Sequence, residues 1–367
     1  MKIAQVAPLY ESVPPQFYGG TERVVHYLTE ELVKQGHQVM LFASGDSNTS
    51  AELVSHIPTA LRLSPECIDP IAHHIIQLQD VLERVDEFDI VHFHTDFIHF
   101  PFTNNMATPH VTTLHGRLDL PELQYVYNKF PHEPVVSISK SQREPLPQAN
   151  FVSTVYHGLL PDLYFPGKGD GNYLAFLGRI SPEKGLPRAI EIARASGVKI
   201  KIAAKIDKAD QEYYEREIKH LLDDPLIEFI GEINEEQKCE FLGNALALLF
   251  PINWREPFGM VIIEAMACGT PVIAHAMGSV PEIIEHGKNG FIFQTVEEAV
   301  AIIKSLDSFD RSSVRKSFEE RFTAQRMTRD YLTVYNRLIE KEINQSLKMI
   351  NSKTISMAPG MRSKIVG

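Results

Sequence analysis

Short apolar runs alternate along the chain with stretches in which apolar residues recur every three or four positions, the pattern of strands followed by amphipathic helices. In the first half the runs predict strands over Lys2 to Ala7, Gln38 to Ala43, Ile90 to His94, His110 to Leu114, Pro134 to Ile138 and Phe151 to Tyr156. The clearest helix between them is Thr21 to Gln35, with Val24, Val25, Leu28, Leu32 and Val33 at helical spacing and Gly36 to stop it. Around His157 to Gly171 glycine and proline break both periodicities, which marks a linker. A second series then predicts strands over Tyr173 to Leu177, Lys199 to Ala204, Ile227 to Ile230, Ala245 to Phe250, Pro271 to His275 and Gly290 to Phe293. Strands that alternate with helices build parallel sheets, so the expected class is α/β, with two doubly wound domains facing one another.

The boundaries that follow are a first domain over 1–157, a linker over 158–171 and a second domain over 172–321. A helix over 322–343 carries Met327, Tyr331, Val334, Tyr335 and Leu338 on one face, so it should pack against a core. Residues 344–367 have no such face and are expected to form a loose tail. A length of 367 residues fits this division, since one domain commonly takes about 100 to 200. No repeat of solenoid length interrupts it.

Composition narrows the setting. The first residues lack a secretion-signal core, and no apolar run reaches the ~20 residues of a membrane span, so the expected location is the cytoplasm. Cys67, Cys239 and Cys268 are scattered with no CxxC spacing, which argues against both a disulfide framework and a zinc site. The net charge of −11 is uneven: residues 1–160 hold 9 Lys and Arg against 18 Asp and Glu. That excess argues against nucleic acid and against a basic membrane patch, and favours a small or neutral partner.

The most informative stretch is Glu256-Pro257-Phe258-Gly259-Met260-Val261-Ile262-Ile263-Glu264, followed by Ala265-Met266-Ala267-Cys268-Gly269-Thr270-Pro271-Val272. Two acids bracket a glycine turn where a strand ending at Phe250 and Pro251 gives way to a helix after Phe258, the edge of an α/β sheet where ligands bind. Glutamates are rarely buried without partners, and a helix N-terminus attracts anions. The combination points to a ligand with both hydroxyls and phosphate, such as a nucleotide-sugar.

Other segments add to it. Gly19-Gly20 precedes the first helix and would let backbone approach a diphosphate, although the segment lacks the GxGxxG spacing of a nicotinamide-binding fold. Arg179 and Lys184, in Gly178-Arg179-Ile180-Ser181-Pro182-Glu183-Lys184-Gly185, could place two cations where a leaving diphosphate gathers charge; Ser181-Pro182-Glu183 reads as a helix cap. His115, after the strand that ends at Leu114, sits at a sheet edge and could bond a substrate hydroxyl or carry a proton. His92, His94, Asp96 and His99 could be read as a metal site, but no second ligand cluster is visible, and polar lining of the cleft is the expected role.

Taken together, Gly19-Gly20, His115-Gly116, the Gly178 to Gly185 segment and Glu256-x7-Glu264 with its Ala-Met-Ala-Cys-Gly-Thr-Pro-Val continuation resemble family 4 of the retaining glycosyltransferases, over about residues 1–343. The resemblance implies the GT-B architecture, two Rossmann-like domains with the active site between them and a last helix crossing back to the first domain. It implies that Arg179 and Lys184 bind the donor diphosphate, that Gly20 approaches it from the other domain, and that Glu256 holds donor-sugar hydroxyls. Phe258, Gly259 and Met260 would offer backbone N–H groups, Val261 would pack near the nucleoside, Glu264 would accept from the ribose hydroxyls, and His115 would meet the donor sugar near its primary hydroxyl. The resemblance further implies a UDP-linked donor, retention of configuration, and no metal or other cofactor, since no aspartate pair for a divalent cation is evident. Two alternatives stay open: a nucleotide-sugar hydrolase or epimerase of the same architecture, and a catalytically silent nucleotide-sugar-binding protein. Base, sugar and acceptor are not legible; the base would be chosen by loops near Ile206 to Lys208 and Gly231 to Asn234.

Overall fold

The structure, a computed structural model, describes residues 1–16 and 19–356. Among the described residues thirteen strands form two sheets in which every pairing is parallel. The first holds β1 (Lys2–Val6), β2 (Gln38–Phe42), β3 (Glu52–Val54), β4 (Ile90–Phe93), β5 (His110–Thr113), β6 (Val135–Ser137) and β7 (Phe151–Thr154), in the order β3-β2-β1-β4-β5-β6-β7. The second holds β8 (Tyr173–Arg179), β9 (Lys199–Lys205), β10 (Ile227–Gly231), β11 (Ala247–Phe250), β12 (Val272–His275) and β13 (Gly290–Phe293), in the order β10-β9-β8-β11-β12-β13.

Each expected strand is present, most trimmed by a residue or two, while β8, β9 and β10 run one or two residues longer and β13 keeps its expected bounds. One strand was not expected: β3 has three residues, too few to show a period of two. Both faces of the first sheet are covered. Ile3, Val39, Ile90 and Val111 face Val24, Leu28 and Leu32 of the helix Gly20–Lys34. Ala4, Val6, Met40, Phe42 and Phe93 point the other way, onto Leu78 and Val81 of the helix Pro70–Glu83. Strands buried on both faces read as apolar runs, which is why they could be located from sequence.

Strand order reverses beside β1 in the first sheet and beside β8 in the second. The loops after β1 and β4, and those after β8 and β11, therefore leave the sheets in opposite directions and open a crevice at each carboxyl edge. The segment 158–171 is firmly packed: the backbone N–H of Gly167 donates to Cys268 O at 3.0 Å and that of Gly171 to Asn244 O at 2.9 Å.

The last helix spans Ala324–Ser356. Its apolar face, Met327, Tyr331, Val334, Tyr335 and Leu338, is buried, and Tyr331 and Tyr335 reach side chains of β1, β4 and β5. The expected loose tail is corrected here, because residues 344–356 continue the helix. A formed helix extends by one backbone bond per residue, and no proline or glycine follows before Pro359. Residues 357–367 of that expectation lie outside the described residues. Among the described residues no helix is long and apolar enough to cross a membrane.

Gly158 lies where the linker passes the start of this helix, in a bridge in which Leu159 N donates to Phe322 O at 2.9 Å and Ala324 N to Leu159 O at 2.8 Å. A Cβ on Gly158 would collide with the Thr323 carbonyl. Gly158→Ala is expected to lower the unfolding free energy by ~1–3 kcal/mol in urea titrations, and an unchanged midpoint would show that the two segments separate freely.

Candidate active site

Between the carboxyl edges of the two sheets lies a cleft of about 690 Å³. All eleven expected site residues line it: Gly19, Gly20 and His115 from the first domain, and Arg179, Lys184, Glu256, Phe258, Gly259, Met260, Val261 and Glu264 from the second. The sheet pairing of β8 with β11 brings the loops after those strands side by side, which is how Lys184 meets Glu256 across 72 residues.

The glutamates are 8% and 4% exposed, so each carboxylate needs a cation and donors in contact. Lys184 Nζ donates to Glu256 Oε2 at 2.6 Å, Trp254 Nε1 donates to the same oxygen at 2.9 Å, and the ammonium lies 5.2 Å from the centre of the Trp254 ring. Glu264, one residue beyond the first turn of the helix Met260–Ala267, accepts from Lys238 Nζ at 3.0 Å. Each acid therefore has its own lysine. Lys238 was missed by sequence reading; its helix, Glu235–Asn244, is announced by a capping box at Asn234 and Gln237, but nothing in that signal says which face meets Glu264.

The glycine turn is fixed from outside. Gly259 adopts φ 83° and caps the Met260–Ala267 helix. Ser279 N donates to Glu256 O at 3.0 Å and Ser279 Oγ to Phe258 O at 2.7 Å. Gly278, at φ 58°, lies so close to Glu256 that a Cβ there would strike its backbone N and O. These residues after β12 were also missed; a Gly-Ser pair after a strand is visible in the sequence, but the neighbour it serves is not.

Arg179 lines the same wall within an acidic group, 2.6 Å from Glu183, 3.5 Å from Asp207 and 3.6 Å from Asp210. The helix expected to begin at Ser181 is corrected: Pro182–Lys184 is a short 3₁₀ turn without a side-chain cap, and the helix proper is Leu186–Ser196. Gly185 in the left-handed region, at φ 70°, separates them. That break is what frees Lys184 from a helix surface and turns it toward Glu256.

On the first-domain side, Arg23 from the helix behind Gly20 pairs with Glu235 of the second domain, and Glu235 also accepts from Tyr164 Oη. Glu22 is buried at the cleft wall, and desolvation pushes its carboxyl up to about 7. Asp96 holds a left-handed backbone, φ 50°, a conformation that aspartate tolerates and that concentrates at functional sites. His115 lines the cleft with its ring stacked on His157, centroids 5.3 Å apart, and burial pushes it down to about 3. Of the three histidines read together on and after β4, His94 reaches the cleft and His92 and His99 do not line it. His92 turns inward to Tyr335, and His99 stacks on Phe93 at 3.8 Å, so the expectation of shared cleft lining is corrected for both. Strand pleat places them but does not reveal which side faces the cavity. Among the described residues no group of three or more His, Cys, Asp or Glu is gathered around one point to hold a metal.

Two Rossmann-like domains with a charged cleft at their facing carboxyl edges define the GT-B architecture. The sequence matches the Glycosyltransferase Family 4 signature over residues 18–161 and the Glycosyl transferases group 1 signature over 165–325. The chain belongs to this glycosyltransferase family and is a transferase enzyme. An uncharacterized glycosyltransferase of Methanocaldococcus jannaschii is 26% identical over 339 residues, 79% of this chain and 84% of that protein. The crystal structure of a glycosyltransferase of avilamycin A biosynthesis superposes with a TM-score of 0.71 at 24% identity, over 93% of this chain and 98% of that one. That of Anabaena HepE in complex with UDP and glucose gives 0.69 at 18% identity, over 92% and 100%.

The buried histidines make a prediction about acid. Desolvation lowers His92, His94, His99, His115 and His157 in the folded protein. Below about pH 6.5 the unfolded chain takes up protons that the folded one refuses. The stability these neutral rings contribute is therefore present above that pH and is lost as pH falls through it. The unfolding free energy should decline below pH 6.5, and His99→Gln should flatten the slope by up to ~1.4 kcal/mol per pH unit. Parallel curves for the two proteins would show that His99 does not contribute.

Proposed function

We propose that this glycosyltransferase moves a sugar from a nucleoside-diphosphate donor, UDP-linked, to an acceptor hydroxyl with retention of anomeric configuration. The observation that carries the reading is the pairing of Lys184 with Glu256 and of Lys238 with Glu264 on one wall of the cleft. A cation suited to a diphosphate stands beside a carboxylate suited to sugar hydroxyls. A second carboxylate, one helix turn and more away, suits the ribose. The UDP and glucose in the HepE complex support a donor of that kind.

The donor diphosphate leaves as the bond between the anomeric carbon and its oxygen breaks, with both electrons going to that oxygen. Lys184, Arg179 and the backbone N–H groups of Gly259 and Met260 stabilise this charge more strongly in the transition state than in the substrate. The acceptor oxygen forms the new bond on the face the diphosphate vacates, and its proton passes to a phosphate oxygen. Positive charge from these side chains and the helix terminus does the work a divalent cation would otherwise do, so the reaction proceeds without metal or other cofactor. Glu256 holds hydroxyls of the sugar that moves, and His115 bonds another. Three free thiols, Cys67, Cys239 and Cys268, fit a reducing cytoplasm.

At its first-domain end the cleft carries Glu11, Glu22 and Asp96, with the rings of Tyr10 and Phe97 40% and 38% exposed. The first-domain guanidiniums lining the cleft are each held by an acid, Arg62 by Glu11 at 2.6 Å, Arg117 by Asp119 at 2.6 Å and Arg23 by Glu235. Carboxylates to accept hydroxyl protons and open rings to cover a sugar face support a neutral, hydroxyl-rich acceptor.

Two measurements decide the reading. In thermal unfolding with UDP, GDP or ADP, UDP should stabilise by ~2.7 kcal/mol at a hundred times its dissociation constant; no response to any nucleotide rejects the donor assignment. In turnover assays with neutral saccharides and their phosphates, Lys184→Ala should lower kcat about 10²- to 10³-fold, the scale of one lost transition-state donor. Preference for phosphorylated acceptors would reject the neutral acceptor, and release of free sugar at the same rate without any acceptor would make the enzyme a hydrolase.

A further inference from the structure

Behind the cleft, polar side chains stand in single file from His115 to the last helix. His115 Nε2 lies 2.9 Å from His94 Nδ1, and His94 Nε2 lies 2.8 Å from Gln5 Oε1. Gln5 Nε2 donates to Tyr335 Oη at 3.2 Å, and that hydroxyl lies 2.7 Å from His92 Nδ1. His92 Nε2 reaches Thr113 Oγ1 at 2.7 Å, and Thr113 Oγ1 reaches Tyr331 Oη at 2.9 Å. Gln5, His92, Tyr331 and Tyr335 are wholly buried, so no water competes for these bonds.

The file has a direction. Burial keeps all three imidazoles neutral near pH 7, and a neutral imidazole has one donor nitrogen and one acceptor. The Gln5 carbonyl oxygen can only accept, so His94 carries its proton on Nε2. His94 Nδ1 is then a lone pair, and His115 must donate to it from Nε2. On the other side the Gln5 amide donates to Tyr335, whose hydroxyl donates to His92 Nδ1; His92 in turn donates from Nε2 to Thr113, which donates to Tyr331. His115 is left with its lone pair on Nδ1. That atom is shielded from solvent and has no hydrogen-bond partner among the described residues, in a ring that lines the cleft, so a substrate hydroxyl reaches it only as the cleft closes on the ring.

We propose that Gln5 and Tyr335 are positioning residues that set the tautomer of His115 through His94, so that His115 meets the substrate as an acceptor at Nδ1, suited to a sugar hydroxyl and unable to donate there. This rests on the reading of the cleft as a sugar-transfer site. A file that only satisfied buried polar groups would need no particular direction, because each group would be equally well bonded with every donor reversed. The direction matters only to the end that touches ligand. Tyr335 lies 330 residues from Gln5 in the chain, so the last helix joins the active site chemically as well as bracing the first domain.

Histidine ¹⁵N NMR on the full chain tests this without substrate, with His115→Asn to assign the signals. The expected wild-type spectrum shows His115 Nε2 protonated and Nδ1 unprotonated. Tyr335→Phe, which keeps the ring, and Gln5→Met, which removes both ends of the amide, should each turn His115 into a mixture of tautomers. Each should also lower kcat/KM by about tenfold, the scale of one hydrogen bond. A wild-type proton on Nδ1 would mean that the file runs the other way and overturns the proposal, as would an unchanged His115 tautomer in both variants. The wild-type spectrum requires no variant to fold. If no nucleotide-sugar is turned over, the transfer reading fails while the spectrum still decides the tautomer.

Discussion

A carboxylate removed from water must meet a cation and donors, and the cleft of this enzyme is organised around two of them. Glu256 and Glu264 are held by Lys184 and Lys238, which come from different elements and lie 72 and 26 residues away in the chain. Supplying those lysines requires β8 beside β11 and the helix Glu235–Asn244 against the helix Met260–Ala267. The parallel topology thus places the two pairs, and the pairs make the buried acids tolerable. Gly185 and Gly278 serve the same end: one breaks a helix so that Lys184 can turn, and the other lets a loop lie directly on the Glu256 backbone.

The same logic joins the two domains. Arg23, just behind the Gly19-Gly20 turn, pairs with Glu235, which lies 3.4 Å from Lys238, so the first domain is tied into the Glu264 group. On another side Glu282 of the second domain accepts from the backbone N–H groups of Lys140 and Ser141 at 2.8 and 2.7 Å and from Tyr156 Oη at 2.9 Å. These bridges are polar, whereas the last helix inserts Tyr331 and Tyr335 into the first domain with no exposed surface. Polar bridges near solvent break at small cost, and buried aromatic packing does not.

Most of the fold was legible, because strands buried on both faces and helices with one apolar stripe write their periods into the sequence. Twelve of thirteen strands could be located, and the missing β3 is too short to have a period. The site was legible to the same depth. Gly259 before a helix and glutamates eight apart stand in consecutive positions, so their meaning is local. Lys238, Gly278 and Ser279 act on residues distant in the chain, and no local pattern names a distant partner. The histidines mark the limit most clearly: alternation on β4 put His92 and His94 on one face, yet one ring turns to the last helix and the other to the cleft.

By itself, then, the sequence determined the class, the two-domain division and the residues that reach the carboxyl edges, since each follows from period, length and turn chemistry along a continuous segment. Tertiary structure alone decided which lysine neutralises which glutamate, how Arg179 is surrounded by acids, and which nitrogen of His115 is left for a ligand. Those outcomes depend on distances between elements that only packing brings together, and on the loss of water that makes an ion pair or a single proton position matter.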